Sequence, residues 1–339
     1  VEILRGVYLE CSEDGQELSM IATDATLSIF LKGAAKVAES GRIVLNARLL
    51  FDIISHAPCE IISFCTNDAQ GVVAIRSGQS AYEIPFLSAE DYPKPEMPFP
   101  EDTVRLRGIR SLAMKTAFAV HENSTSAALG CICLRTQKNR VRAASSNGLC
   151  VMLTKQSVDC EGGKEFLLPK KPFLKFAAMT RDEEEYSVGT IRNRVVFMRK
   201  GMLLSMDTFC DVTFPDTERV IRSVTPEYTA VIDAEDMKRA LELMSVGKKT
   251  LTVNISLGKA AVTVQCGGDS PAKTEISAKV SKETPEGGFY YALKELIYLF
   301  RVIDGIAQIK MDGNGTMLIR SRDELFLQLP KQADMQAKK

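Results

Sequence analysis

The sequence of 339 residues lacks an excess of either charge, and it has few histidines and no Cys-x-x-Cys pair. Its 43 basic residues equal its 43 acidic ones, so any electrostatic site must come from local placement and not from the total. The two histidines, His56 and His121, are too few to build a Cys/His zinc site. The nine cysteines lie inside apolar segments, which is typical of reduced thiols in a cytosolic protein.

Enzyme signatures are missing as well. Neither glycine-rich phosphate loop occurs, GxxxxGK[ST] or GxGxxG, and there is no GxSxG elbow and no HExxH. His121 is a conceivable base for Cys131 or Cys133, but both cysteines fall in an apolar strand pattern. We therefore expect a non-catalytic protein with no cofactor and no metal.

No signal peptide is visible, and the most apolar helical stretch, FYYALKELIYLF, is interrupted by Lys294 and Glu295. We expect a cytoplasmic protein without a membrane partner.

What the chain does contain is a long internal repeat. VVAIRSGQSAYEIPFLSAEDYP, residues 72–93, and VVFMRKGMLLSMDTFCDVTFP, residues 195–215, follow the same course. Each runs from two valines through an arginine and a glycine-containing turn into a second apolar strand, and each ends at an aromatic–proline pair. No shorter period is visible, which excludes solenoids and propellers.

Each complete repeat is predicted to run strand–helix–strands–helix–strands. In the second repeat, Ile109, Leu112 and Thr116 have helical spacing, and Pro172 is tolerable only near a helix start. In the third, Asp233 is a predicted N-cap. The arginines at 76, 199 and 320 align. We predict an α+β protein of three similar domains, residues 1–100, 101–223 and 224–339. The first lacks its opening strand and helix, so we expect residues to be missing before it.

These segments resemble a known family, the beta subunit of bacterial DNA polymerase III, which is the sliding clamp. The resemblance covers nearly the whole chain, and four stretches in register carry it: RSGQSAYEIPFLSAEDYP, FPDTERVI, SMIATDATLSIF and FLLPKKPFL. It implies the DNA clamp fold, in which two subunits of three domains join head to tail as a homodimer ring with helices inside and sheets outside. It also implies a processivity factor with two kinds of partner, double-stranded DNA bound without sequence preference and peptides of the polymerase and clamp loader.

Sliding requires contact with phosphates and not with base edges. The cations predicted to face DNA lie on the helical segments of all three repeats. They are Arg48, Arg110, Lys115, Lys170, Lys171, Lys175, Lys238 and Arg239, joined by Lys294 and Arg301. Taken singly, each is better explained as part of an ordinary solvated helix face, and it is the recurrence of the set in all three repeats that favours contact with DNA.

The resemblance also implies an apolar pocket for partner peptides between the second and third domains. Its predicted walls are Gly148, Leu149 and Val151; then Pro215, Arg219 and Val220; and finally Leu327, Leu329 and Pro330. Taken alone, Leu149 and Val151 are equally compatible with buried strand residues.

The chain departs from the family at this pocket. Asn147-Gly148-Leu149-Cys150-Val151 replaces Asp-Gly-His-Arg-Leu, and Leu329-Pro330-Lys331-Gln332 replaces Met-Pro-x-Arg before the extra tail ADMQAKK. Tyr290 stands where a small polar residue is usual. We expect an altered partner preference and a retained pocket.

The predicted dimer interface joins the strand around Tyr82 and Ile84 to the segment 243–251, which begins with Leu243 and Met244. From the residues alone, both segments are equally compatible with core positions. An alternative function also stays open at this point, namely a divergent clamp paralogue that serves one dedicated polymerase or nuclease.

Overall fold

The structure is a computed structural model, and it describes residues 2–12, 14–160, 162–246, 252–267 and 271–331. These residues form two compact units. One unit contains the chain up to Thr103 together with Tyr186–Asp207, and the other contains Val104–Glu185 and the chain from Thr208 onward.

Three successive stretches of the chain carry the elements. The first contains β1 (Gly6–Cys11), β2 (Glu17–Thr23), β3 (Leu27–Ala34), β4 (Gly41–Asn46), α1 (Ala47–Ser55), β5 (Ser63–Asn67), β6 (Val72–Ser77) and β7 (Ser80–Pro85). The second contains β8 (Thr103–Leu106), α2 (Ile109–Thr116), β9 (Cys131–Gln137), β10 (Arg140–Ser146), β11 (Cys150–Ser157), β12 (Glu165–Pro169), α3 (Lys170–Met179), β13 (Tyr186–Ile191), β14 (Arg194–Arg199) and β15 (Met202–Asp207).

A short helix, α4 (Thr217–Ser223), leads into the third stretch. It contains β16 (Tyr228–Asp233), α5 (Ala234–Ser245), β17 (Thr252–Leu257), β18 (Ala261–Cys266), β19 (Ala272–Ser277), β20 (Lys279–Val280), β21 (Phe289–Ala292), α6 (Leu293–Val302), β22 (Ile306–Met311), β23 (Met317–Ser321) and β24 (Glu324–Gln328). The second and third stretches both follow the predicted order, strand–helix–strands–helix–strands.

Local signals in the sequence mark several of these boundaries correctly. The Asp233 side chain accepts a hydrogen bond from the Glu235 backbone N–H at 2.8 Å, so it caps α5 as predicted. Pro172 is the third residue of α3, where the absent N–H breaks no intrahelical bond. Both repeated hairpins form, as β6–β7 and as β14–β15.

The sheets are antiparallel. In the first unit β4, β1, β2, β3, β15, β14 and β13 follow one another in one sheet, and β5, β6 and β7 form another. In the second unit the order is β12-β9-β10-β11-β24-β23-β22-β16-β20, and β19-β18-β17-β21 form a separate sheet.

Two joints in these sheets are built alike. β15 pairs with β3, with Met206 opposite Leu27, and β24 pairs with β11, with Gln328 opposite Cys150. In both joints the last strand of one repeat pairs with a middle strand of the repeat before it, β3 in the first stretch and β11 in the second. Strand pairing therefore connects neighbouring repeats through continuous sheets.

Helices of the second unit lie in one layer against these strands, because α3 contacts α2, α2 contacts α6, and α6 contacts α5. The Ser145 hydroxyl donates to the Thr116 carbonyl at 2.6 Å, which ties β10 to the end of α2. Phe300 and Phe326 are buried in the main core. Each such side chain contributes about 2–3 kcal/mol of transfer free energy, so packing of this kind holds the layer in place.

Candidate functional site

An exposed pair of leucines marks the joint between β11 and β24. Val151 lies opposite Leu327 in the strand register, and the Leu329 backbone N–H donates to the Leu149 carbonyl at 2.9 Å. Leu149 is 54% exposed and Leu329 is 39% exposed, although both are large apolar side chains. Val151 and Leu327 are buried beneath them. The backbone pairing thus places two predicted walls of the pocket side by side.

The turn that presents Leu149 is held by its own side chains. The Ser146 hydroxyl accepts from the Gly148 N–H at 3.1 Å. The Asn147 side-chain oxygen accepts from the N–H groups of Leu149 at 2.9 Å and Cys150 at 2.8 Å. Gly148 has a φ of +86°, which glycine adopts without strain. Asn147 supplies the same acceptor as an aspartate, so the turn does not need a carboxylate.

The joint between β3 and β15 repeats this turn with polar residues. The Asp24 carboxylate accepts from the N–H groups of Thr26 and Leu27, and the Asp207 N–H donates to the Thr26 carbonyl at 3.0 Å. Asp207 also forms an ion pair with Arg194 at 2.6 Å. Thr26 and Asp207 therefore stand where Leu149 and Leu329 stand in the other joint. Of these two joints, only the one between β11 and β24 presents a pair of apolar side chains.

The remaining predicted wall comes from α4 and the residues before it. Phe214 is buried with Cys133 and Ala144, which anchors the chain on the sheet. The Asp216 side chain accepts from the Arg219 N–H at 3.0 Å and caps the helix. Pro215, Arg219 and Val220 are exposed, and Val220 is 43% exposed. The Asp216 cap is a signal that could have predicted this helix, which the sequence analysis missed.

α4 lies over the same sheet face that carries Leu149. Thr217 and Glu218 border a small cavity together with Ala144 and Leu153. Alternate residues of a strand share a face, so Leu153 points the same way as Val151 and Leu149. An ion pair between Glu218 and Arg142, which no sequence pattern indicated, joins α4 to β10.

The chain after Leu329 is tied down near Tyr290, since the Lys331 N–H donates to the Tyr290 carbonyl at 2.7 Å. Pro330 and Tyr290 are both half-buried beside this contact. Gln332 and the tail 333–339 lie outside the described residues.

Five of the ten predicted DNA-facing cations are paired with carboxylates. Their ion pairs are Lys115–Glu324 at 2.6 Å, Lys170–Glu122 at 2.5 Å, Lys238–Glu235 at 3.2 Å, Arg239–Asp236 at 2.9 Å and Arg301–Glu242 at 3.3 Å. The hydrogen bond from Lys170 lowers the pKa of Glu122, and Lys171 and Lys294 act on it in the same direction. The pairing weakens the field that these cations could present to a polyanion.

Arg48 on α1, Arg110 on α2, and Lys171 and Lys175 on α3 are exposed. Within the described part of the chain, Arg48, Arg110 and Lys171 form no ion pair. Lys294 lies above the Tyr298 ring, 6.0 Å from its centre. These exposed cations sit on several helices, as predicted.

The predicted interface residues divide into two kinds. Tyr82 and Leu243 are exposed, while Ile84 is buried within its own unit. Met244 has 0% exposure and belongs to the core with Met237 and Leu241. Its side chain is therefore not available to a second subunit, because the buried stripe of α5 includes it. Residues 247–251 of the predicted segment lie outside the described residues.

Cys131 and Cys133 were the candidate nucleophiles if the protein were an enzyme. Burial raises the pKa of Cys131 and Cys133 to about 12, so neither is a ready nucleophile near neutral pH. Across the described ranges, no group of three His, Cys, Asp or Glu side chains could hold a metal ion. Over the same ranges, no helix is long and apolar enough to cross a membrane.

Comparisons with known proteins agree along the chain. Residues 1–98 match the family model of the DNA polymerase III beta subunit, N-terminal domain. The beta sliding clamp of Pseudomonas putida is 24% identical over an alignment of 318 positions, which covers 90% of this chain and 85% of that protein. The beta sliding clamp of Bacillus subtilis is 21% identical over an alignment of 349 positions, which covers 97% of this chain and 91% of that protein.

Solved structures show the same architecture. The DNA polymerase III beta subunit of Pseudomonas aeruginosa superposes with a TM-score of 0.86 at 19% identity, covering 98% of this chain and 94% of that one. The beta subunit of Thermotoga maritima gives a TM-score of 0.86 at 18% identity, with coverages of 98% and 92%. At such identities the structural likeness establishes the fold.

Proposed function

Because the chain belongs to the family of bacterial DNA polymerase III beta subunits, the beta sliding clamps, we propose that it encloses duplex DNA and tethers a polymerase to it. This family consists of processivity factors and not of enzymes. We place its action in the cytoplasm, in three domains with the predicted boundaries 1–100, 101–223 and 224–339.

The observation that carries the proposal is the exposed apolar patch, defined by Leu149, Leu329 and Val220. Exposed large apolar side chains held on a rigid joint are typical of surfaces that bind partners. A captured peptide needs apolar walls and a few oriented polar groups. Leu149 and Leu329 provide the walls, and α4 adds Val220 next to the guanidinium of Arg219.

Ring closure follows from the repeated joint. The strand that ends a repeat pairs with a middle strand of the repeat before it, as in β15–β3 and β24–β11. In the described sheets β7 and β19 stand at edges, and they hold the corresponding places in the first and third repeats. We propose that β7 of one subunit pairs with β19 of another, twice, with Tyr82 and Leu243 beside the contact. Such a head-to-tail contact closes a ring and leaves no open edge.

DNA is then held by charge without base recognition. The exposed cations Arg48, Arg110, Lys171 and Lys175 lie on helices, which are the inner layer in this proposal. Surface ion pairs such as Lys238–Glu235 contribute about 0–1 kcal/mol, so phosphates can replace those carboxylates at small cost. We therefore expect weak, salt-sensitive contacts that permit sliding.

A dedicated paralogue is not favoured, because the similarity to general beta sliding clamps extends over 90–97% of the chain. The polymerase, its loader peptides and other partners are expected to meet the apolar patch. Tethering there replaces a bimolecular encounter by an intramolecular one at high effective concentration.

The test combines mass and topology. Light scattering across a dilution series should give about twice the 37.3 kDa of one chain. After loading, the protein should stay on nicked circular DNA and leave once that DNA is cut. A monomer at all concentrations, or equal retention on circular and linear DNA, contradicts the ring.

A further inference from the structure

Three cations stand opposite one another across β9, β10 and β11. In the strand register Arg142 lies opposite Arg135 on one side and opposite Lys155 on the other. Like charges directly opposite each other destabilise a sheet, so nothing in the strand pairing itself favours this row. Arg140 lies two residues before Arg142 and on the same face. We call Arg135, Arg140, Arg142 and Lys155 the cation row.

Carboxylates neutralise only part of this row. Glu165 pairs with Arg135 at 2.5 Å, and Glu218 pairs with Arg142. Arg140 and Lys155 form no ion pair with any residue that the structure describes. Burial, followed by Arg142, Arg140 and Arg320, lowers the pKa of Lys155, and Asp323 acts in the opposite direction. The Nε of Arg142 is buried without an acceptor in the described structure.

An open groove of about 650 Å³ lies between Arg135 of the cation row and α4, which adds further positive charge. Its lining residues are Arg135, Asp216, Glu218, Arg219, Arg222 and Ser223. The guanidinium of Arg222 is 2.7 Å from Glu218 but remains largely exposed. Arg219 forms no ion pair within the described ranges. Three arginines therefore border a space that a ligand can enter.

The groove adjoins the apolar patch. Val220 lies between Arg219 and Arg222 on α4, so one short helix carries both apolar and positive contacts. On β11 the face that presents Leu149 leads through Leu153 to Lys155, about 20 Å away at strand spacing. An extended ligand seated on the apolar patch therefore reaches the cations within about six residues.

The cation row lies on the face of the sheet opposite the helix layer that we propose contacts DNA, so DNA contact does not explain it. Ser145 of β10 points to α2, where its hydroxyl donates to the Thr116 carbonyl. Arg140 and Arg142 are on the other face of the same strand, since neighbouring residues alternate. These cations point away from α2, toward the side of the sheet that carries α4 and the groove.

We propose that this charged surface selects partner peptides with carboxylate side chains within a few residues of their apolar anchor. The inference rests on the proposed peptide capture at the apolar patch. Arg219, Arg222 and the exposed part of the cation row hold the carboxylates, while Leu149, Leu329 and Val220 hold the anchor. Glu165 and Glu218 neutralise only Arg135 and Arg142, and carboxylates flanking the peptide anchor supply counter-charge to the remaining cations.

The experiment uses fluorescence anisotropy with two short labelled peptides. Both have a central Leu-Phe anchor, flanked on both sides by glutamates in one peptide and by glutamines in the other. We expect the full-length protein to bind the glutamate peptide about tenfold more tightly at low ionic strength, with a smaller ratio at high salt. The double variant Arg219→Gln/Arg222→Gln should reduce the ratio to about one. The single variant Arg222→Gln, outside the predicted pocket walls, should lower the ratio and leave the Kd of the glutamine peptide unchanged.

Arg105→Gln is the matched control, since Arg105 is an exposed arginine of the same unit outside the groove, and it should keep the wild-type ratio. Equal binding of both peptides by the wild type overturns the acidic preference and leaves the peptide pocket standing. Failure of both peptides to bind overturns the pocket itself. A labelled single-stranded DNA oligonucleotide is tested in the same assay. If it binds and its binding depends on Arg219 and Arg222, while the two peptides bind equally, the groove is a nucleic-acid site and the inference is overturned.

Discussion

Replacing the two exposed leucines should abolish most peptide binding and leave the protein folded. Full burial of a leucine side chain is worth about 1.5–3 kcal/mol. Leu149 is 54% exposed and Leu329 is 39% exposed, so a ligand that covers the rest gains about 1 kcal/mol from each. Leu149→Ser/Leu329→Ser should therefore raise the Kd of the Leu-Phe peptide about thirtyfold.

The parts of the two side chains that the fold already buries are worth about 1 kcal/mol each, so urea denaturation should show a loss of about 2 kcal/mol and a protein that still folds. Met179→Ser is the control, since Met179 is 49% exposed at the end of α3 and lies away from the joint. Its Kd should stay at the wild-type value. Unchanged binding in the double leucine variant, or an equal loss in the control, refutes the assignment of the apolar patch.

Four further outcomes follow from single contacts. Asn147→Ala should lower the free energy of unfolding by about 1 kcal/mol, because the N–H groups of Leu149 and Cys150 lose their acceptor; Asn147→Asp should restore it, and an equal loss in both variants contradicts the capping role. Lys115→Met should cost about 1–3 kcal/mol in urea denaturation by leaving the buried Glu324 unpaired, and an unchanged midpoint argues against the ion pair. Lys171→Ala should reduce the slope of log DNA affinity against log salt by about one while Arg105→Gln leaves it unchanged, and equal slopes argue against a phosphate contact at Lys171. The hydrogen bond from Lys94 lowers the pKa of Glu10, so this pair stabilises the fold above the ordinary Glu pKa of 4.5 and is lost as pH falls through the lower folded value. Lys94→Met should therefore cost about 0.5 kcal/mol near neutral pH and nothing in acid, whereas a constant difference contradicts the linkage.

Local features were predictable because they depend on neighbouring residues. The Asp233 cap, the position of Pro172 and the hairpin at β14–β15 all follow from spacing within a few residues. The order of elements in the second and third repeats was predicted for the same reason. α4 was missed although Asp216 had the pattern of a cap, since the aromatic–proline stretch before it suggested only a loop.

Interface residues were harder to predict, because an apolar residue can pack in the core of its own subunit or contact another subunit. Met244 was assigned to a subunit contact, yet it lies on the buried face of α5 with Met237 and Leu241. The helical spacing of these residues was a usable signal that the core needed Met244. Leu243, one residue away, is exposed and remains in the proposal.

By itself the sequence determined the repeat, the element types and the apolar character of Leu149 and Leu329, since these depend on composition and short spacing. Only the tertiary structure decided which distant residues meet. Lys115, a predicted DNA contact, pairs with Glu324 across 209 positions, and no local pattern reveals this ion pair. Likewise, the pairing of β11 with β24 brings Leu149 beside Leu329, and hydrogen bonds between strands carry no signature in the sequence of either strand alone.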